Sequence, residues 1–161
     1  MAQPPRQSPD DQQQGAESCS QQHGWTLKVL LVEDSPDEER TLLRILENAG
    51  AKVTLECNAQ AARKRIVSTD FESYGFDVIV IDLRLLVLDG IQLTRDLRKE
   101  GCTIPLVLCS AEVDPEAQKL AQEAGCDLFL DKSLAHEDIA THVLNCARKD
   151  KPPGDGIQIH L

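Results

Sequence analysis

Four apolar runs along this chain stop at residues that can do chemistry. Leu27 to Val32 gives way to Glu33 and Asp34, Val78 to Ile81 to Asp82, the run PLVLC to Ser110, and the run Leu128 to Leu130 within DLFLDK to Asp131 and Lys132. Carboxylates with room for water suit Mg²⁺, which takes one or two carboxylates plus the phosphate of a substrate. A magnesium-loaded carboxylate beside an amine and a hydroxyl is equipped for phosphoryl transfer onto aspartate. The carboxylate attacks, the metal and the lysine neutralise charge on the phosphoryl oxygens, and the serine hydroxyl hydrogen-bonds one of them. Each residue taken alone has a plainer reading: Asp82 as a turn cap or arginine partner, Ser110 as an ordinary strand end, Lys132 as a solvated charge. The set does chemistry only if the fold brings these ends together.

Two hydrophobic patterns alternate between them. Val78 to Ile81 is continuously apolar, as a strand covered on both faces must be. SPDEERTLLRILENAG carries helix signals: Ser35 as N-cap, Pro36 at the first helical position, Glu38 three residues after the cap, and an apolar face of Leu42, Leu43, Ile45, Leu46 and Ala49 that ends at Gly50. AKVTLEC alternates with Val53, Leu55 and Cys57 on one side, the pattern of an edge strand. Asn58 caps a second helix to about Val67, and the loop TDFESYG leads into the Asp82 strand. A third helix runs from about Gly90 to Lys99 with Ile91, Leu93, Thr94 and Leu97 inward. A fourth opens at Asp114 and Pro115 and closes near Gly125, and a fifth spans about His136 to Arg148 with Ile139, Val143 and Leu144 inward.

Five strands alternating with five helices predict an α/β fold, a doubly wound five-stranded parallel sheet with right-handed crossovers. The alternating second strand belongs at an edge, which favours the flavodoxin-like order 2-1-3-4-5. The first and third strands then meet at the switch point, where such sheets bind ligands, and Glu33, Asp34 and Asp82 converge there. At about 5 Å and an effective dielectric near 20, each carboxylate pair costs roughly 3 kcal/mol. Three such pairs rival the stability of a whole domain, about 5–15 kcal/mol. Lys132 supplies one compensating charge and a divalent cation the rest.

The motifs LLVEDSPDE, VIVIDLRLLVLDG, PLVLCSA and FLDK, in this order over roughly residues 27 to 147, resemble the receiver domain of two-component response regulators. The resemblance implies that Asp82 is the phosphoacceptor and that Glu33, Asp34, Asp82 and the backbone carbonyl of Arg84 hold Mg²⁺, Glu33 through water. It implies that Lys132 contacts the phosphoryl group, and that Ser110 and the aromatic Phe129 form the switch pair. Asp89-Gly90 would close the loop after the acceptor and start the next helix. Two positions depart from the family pattern. Leu85-Leu86 stands where Met-Pro is usual, and Ser133 where a cis-bonded proline usually follows the lysine. A cis bond before a non-proline residue costs about 2.5–4 kcal/mol, so a trans bond and a reshaped loop are expected.

The remaining features bound the function. Residues 1–26 hold seven Gln and three Pro with almost no aliphatic side chains, the composition of a disordered leader. Residues 27–148 form the receiver-like core, and 149–161 a tail whose IQIHL end reads as frayed rather than added to a sheet edge. A net charge of −10 opposes binding to a phosphate backbone, so no nucleic acid partner is expected. No apolar run reaches the roughly 20 residues of a membrane span, and a cytoplasmic location is expected. The six cysteines contain no C-x-x-C pair and read as reduced thiols, and His23, His136, His142 and His160 fall in no phosphohistidine or metal motif. Arg84 and Glu112, each two residues past a site residue, are expected to pair over the acceptor and slow hydrolysis of its acyl phosphate. With no room for an output domain after Arg148, the expected partners are a histidine kinase or histidine phosphotransfer protein and a downstream protein. The competing reading is a receiver-like scaffold that binds its partner without phosphorylation. A dinucleotide-binding module is disfavoured, because Glu33 and Asp34 occupy the position of its phosphate loop.

Overall fold

The computed structural model describes residues 26–67, 75–147 and 158–160. The expected leader up to Trp25 and most of the TDFESYG loop lie outside the described residues. The strands are β1 (Lys28–Val32), β2 (Lys52–Glu56), β3 (Val78–Asp82), β4 (Leu106–Ser110), β5 (Leu128–Asp131) and β6 (Gln158–His160). The helices are α1 (Pro36–Asn48), α2 (Ala59–Val67), α3 (Gly90–Lys99), α4 (Pro115–Ala124) and α5 (His136–Ala147). The sheet is parallel throughout, in the order β2-β1-β3-β4-β5-β6.

Within this sheet the expected 2-1-3-4-5 order holds, and one expectation is corrected. The tail segment is not frayed at its end: Gln158, Ile159 and His160 pair in parallel with Leu128, Phe129 and Leu130, making a sixth strand. The physical reason lies in β5, whose outer N–H and C=O groups would otherwise form an unpaired edge.

Side chains alternate across the sheet, so each strand feeds two cores. Leu30, Val32, Ile79, Ile81, Leu106, Leu108 and Phe129 face one way, against α2, α3 and α4. Val29, Leu31, Val78, Val80, Val107, Cys109, Leu128 and Leu130 face the other, against α1 and α5. The central strands β3 and β4 are buried along their whole length, and each fully buried aliphatic side chain contributes about 1.5–3 kcal/mol. The edge strand β2 stays half-buried, and Cys57 just beyond it is exposed.

The loop chemistry positions the helices. Asp89 caps α3 by accepting from Ile91 N at 2.8 Å, Asp114 caps α4 from Glu116 N at 3.1 Å, and Asn58 caps α2 from Gln60 N at 2.7 Å. Ser35 departs from expectation. Its side chain makes no capping bond, and Glu38 does not fold back onto the cap; its carboxylate is engaged elsewhere, at the functional site.

Candidate functional site

Asp82 ends β3, with β1 on one side and β4 on the other. Its Oδ2 accepts from Arg84 N at 3.0 Å, so the loop turns directly over the carboxylate, while Leu83 N still donates to Cys109 O at 2.8 Å. Its Oδ1 accepts from Lys132 Nζ at 2.6 Å. Lys132 follows β5, its backbone N–H held by Ser110 O at 2.8 Å, and its stem crosses the end of β4 to reach β3 and β1.

Glu33 follows β1 and is fully buried. Its Oε2 accepts from Lys132 Nζ at 2.8 Å and its Oε1 from Ser35 N at 3.1 Å, next to the positive end of α1. Burial raises the Glu33 carboxyl above its ordinary value, outweighing the Lys132 hydrogen bond that lowers it. For Lys132, burial favours the neutral amine, but hydrogen bonds to Asp82, Glu33 and Glu38 prevail and hold the ammonium above its ordinary value.

Glu38, in the first turn of α1, is the third carboxylate bonded to Lys132 Nζ. One carboxylate oxygen each from Glu33, Glu38 and Asp82 lie within 4.8 Å of one another, close enough to hold a cation between them. When all are ionised, three carboxylates against one ammonium leave two negative charges over, an excess that makes the hard oxygen donors of Glu33 and Asp82 suited to Mg²⁺. Sequence reasoning missed Glu38 because the capping box gave it another role. The available signal was its place in the first turn of the helix that follows Glu33 and Asp34.

The other expected residues are nearby but differently engaged. Asp34 does not join the Lys132 cluster; its Oδ2 accepts from Leu86 N at 2.5 Å and ties the loop after β3 to the end of β1. Ser110 is buried at the end of β4, where its Oγ donates to Glu112 O at 2.6 Å and accepts from Glu112 N at 3.2 Å. Arg84 and Glu112 form an ion pair at 2.5 Å between the two loops, with side chains 67% and 70% exposed. Phe129 is buried in the core against α2, α3 and α4.

The two departures from the receiver pattern also have a structural form. Leu85 turns into the core, whereas Leu86 is 88% exposed beside Val87, also exposed. No peptide among the described residues is cis, so Lys132–Ser133 is trans as expected, and Ser133 N donates to Asp131 Oδ1 at 2.7 Å. Gly90 shows why its position is glycine: a Cβ there would lie 2.3 Å from the carbonyl oxygen of Asp82. The close approach packs the start of α3 against the backbone of β3, and Gly90 N donates to Leu83 O at 3.1 Å.

Known proteins resemble this chain in sequence and fold. The response regulator receiver domain profile matches residues 29–144. The chain is 27% identical over 135 residues to the response regulator MprA of Mycobacterium avium, covering 84% of this chain and 57% of that protein. It is 32% identical over 111 residues to the hybrid signal transduction histidine kinase M of Dictyostelium discoideum, covering 66% of this chain and 4% of the kinase. The chain thus spans little more than half of the first of these relatives. Among solved structures, the receiver domain of the Francisella response regulator 1452 superimposes with a TM-score of 0.68 at 26% identity, covering 78% of this chain and 100% of that one. The receiver domain of the putative response regulator NarL of Mycobacterium tuberculosis gives 0.66 at 26% identity, covering 76% and 96%. With its parallel sheet, its strand-end carboxylates and a family match over most of its length, the chain belongs to the response regulator receiver domains.

Proposed function

We propose that the chain accepts a phosphoryl group from a phosphohistidine onto Asp82 and thereby changes its protein contacts. The observation that carries this reading is the position of Asp82 at a strand end, one carboxylate oxygen 2.6 Å from Lys132 Nζ and the other held by Arg84 N at 3.0 Å. An oxygen of Asp82 forms the new bond to phosphorus, the phosphorus–nitrogen bond of the donor breaks, and the imidazole leaves with the electron pair. Glu33, Asp34, Asp82 and the backbone carbonyl of Arg84 would hold Mg²⁺, which neutralises charge on the phosphoryl oxygens. Lys132 contributes its positive charge at the same place.

Ser110 supplies a hydroxyl to a phosphoryl oxygen only after leaving its bonds to Glu112. That rotation, with rearrangement of Phe129 behind it, is the proposed switch affecting α4 and β5. The Arg84–Glu112 pair spans the mouth of the site, and in this reading it slows attack by water on the acyl phosphate. The phosphoryl donor is a histidine kinase or histidine phosphotransfer protein, met in the cytoplasm, and output goes through a downstream protein. Among the described residues no helix is long and apolar enough to cross a membrane.

A second reading, binding of a partner without phosphorylation, draws on Leu86 and Val87, an exposed apolar pair at the rim of the site. One experiment separates the two. Intact mass is measured after incubation with acetyl phosphate and Mg²⁺ for the wild type, for Asp82→Asn and for a metal-free control. A single phosphoryl adduct requiring both Asp82 and the metal supports the first reading. Its absence from a folded wild type supports the second.

A further inference from the structure

A lysine ammonium has three protons to donate and no capacity to accept. All three directions are taken at Lys132, by Asp82 at 2.6 Å, by Glu33 at 2.8 Å and by Glu38. An incoming phosphoryl oxygen therefore has no free donor on Lys132 until one carboxylate lets go. The three are not equally able to do so. The side chains of Glu33 and Asp82 are 1% and 7% exposed, whereas that of Glu38 is 44% exposed. Releasing Glu33 would leave a buried carboxylate without its cation, and releasing Asp82 would detach the cation from the acceptor. Glu38 can exchange its bond for water.

We propose that Glu38 is a positioning residue that occupies the third donor of Lys132 at rest and yields it to the phosphoryl group. The inference rests on the phosphoacceptor reading and adds a regulatory element to it. Glu38 acts as a brake in two ways. It must be displaced before Lys132 can bind the phosphoryl group, and its own negative charge lies beside the place where phosphoryl charge arrives. When the phosphoryl group leaves, Glu38 reclaims the ammonium. The side chain of Glu38 thereby links occupancy of the site to the first turn of α1.

The test uses fluoroberyllate as a stand-in for the phosphoryl group, titrated calorimetrically at saturating Mg²⁺ into the full chain, with Mg²⁺ affinity measured separately. Glu38→Gln keeps the size of the side chain and removes its charge, and Glu38→Ala checks that the new amide adds no bond of its own. Both variants are expected to bind fluoroberyllate roughly three- to tenfold more tightly, the range for loss of a half-exposed charged competitor. Their Mg²⁺ affinity is expected to stay within about twofold of wild type, and their acetyl phosphate adducts to form faster and last longer. Equal or weaker fluoroberyllate binding in both variants overturns the proposal. So does a fall in Mg²⁺ affinity with no gain in fluoroberyllate affinity, which would make Glu38 a metal ligand. If wild type takes neither fluoroberyllate nor phosphoryl, the phosphoacceptor reading fails. If wild type loads and the variants load no better, only the role of Glu38 fails.

Discussion

The two ends of the sheet carry charge in opposite ways. At the amino end, Arg98 donates to the carbonyls of Gly125 at 2.9 Å, Cys102 at 2.7 Å and Ile104 at 2.9 Å, and to Asp127 at 2.5 Å. Asp127 in turn accepts from Leu106 N at 2.7 Å, and Asp77 from Lys28 N at 2.8 Å. Charge there is spent on closing loops and starting strands. At the carboxyl end, one ammonium serves three carboxylates, and the cluster keeps excess negative charge. Charged groups that complete the backbone are accounted for by the fold. Three carboxylates that share a single ammonium leave too few cations among them and are suited to something that arrives from outside.

Removing the central cation from each end should separate the two most strongly. Lys132→Ala leaves Glu33 and Asp82 buried without their partner, and breaking a buried pair costs about 3–5 kcal/mol. Urea unfolding should show that loss, and acetyl phosphate should no longer load Asp82 at a measurable rate. Mg²⁺ should return part of the stability by binding the native carboxylates. Arg98→Ala should cost about 2–4 kcal/mol, from hydrogen bonds to a charged donor lost at several partners. Its loading rate, corrected for the folded fraction, should stay within about twofold of wild type. If Arg98→Ala abolished loading as Lys132→Ala does, the two ends would not be separable.

Gly90→Ala tests the packing that supports the site. Its Cβ would meet the Asp82 carbonyl, and relief of such overpacking costs about 1–3 kcal/mol. Because the shift falls on the backbone of Asp82, the proposed acceptor, loading should slow by more than the loss of folded protein explains. A pH series on the wild type sharpens the carboxyl end further. Lys132 is held above its ordinary 10.5, so its stabilisation is fully present below 10.5 and is lost only as pH rises through its higher folded value. The stability gap between wild type and Lys132→Ala should therefore persist through pH 10.5 and narrow only above it.

The smallest contrast concerns thiols, where the two ends should behave alike. Cys109 at the carboxyl end and Cys126 at the amino end are both pushed up to about 12 by burial. Among the described cysteines, exposed Cys57 should take up iodoacetamide first at pH 8, with Cys109 and Cys126 protected in the native state, as peptide mass mapping would show.

Much of this was legible in the sequence, because burial on both faces writes a strand as an apolar run and its end as the first polar residue. That rule located Asp82, Glu33 and Ser110 at one end of the sheet, with Lys132 one residue past the Asp131 that ends β5, and the edge character of β2 gave the strand order that makes those ends adjacent. Asp89 and Gly90 were readable as a cap and a helix start, since local hydrogen bonding decides both. Tertiary structure alone decided which groups bond to which. Glu38 has the spacing of a capping partner but bonds to Lys132, ninety-four positions away in the chain, because α1 brings its first turn over the end of the sheet. Asp34 stands beside Glu33 in sequence yet faces the backbone of Leu86, since the loop after β3 presents an N–H there. The strand at Gln158–His160 forms because β5 would otherwise be an open edge. Periodicity and local hydrogen bonding act over a few residues and determined the elements. Competition among distant donors and acceptors depends on the assembled sheet, and only the fold could settle it.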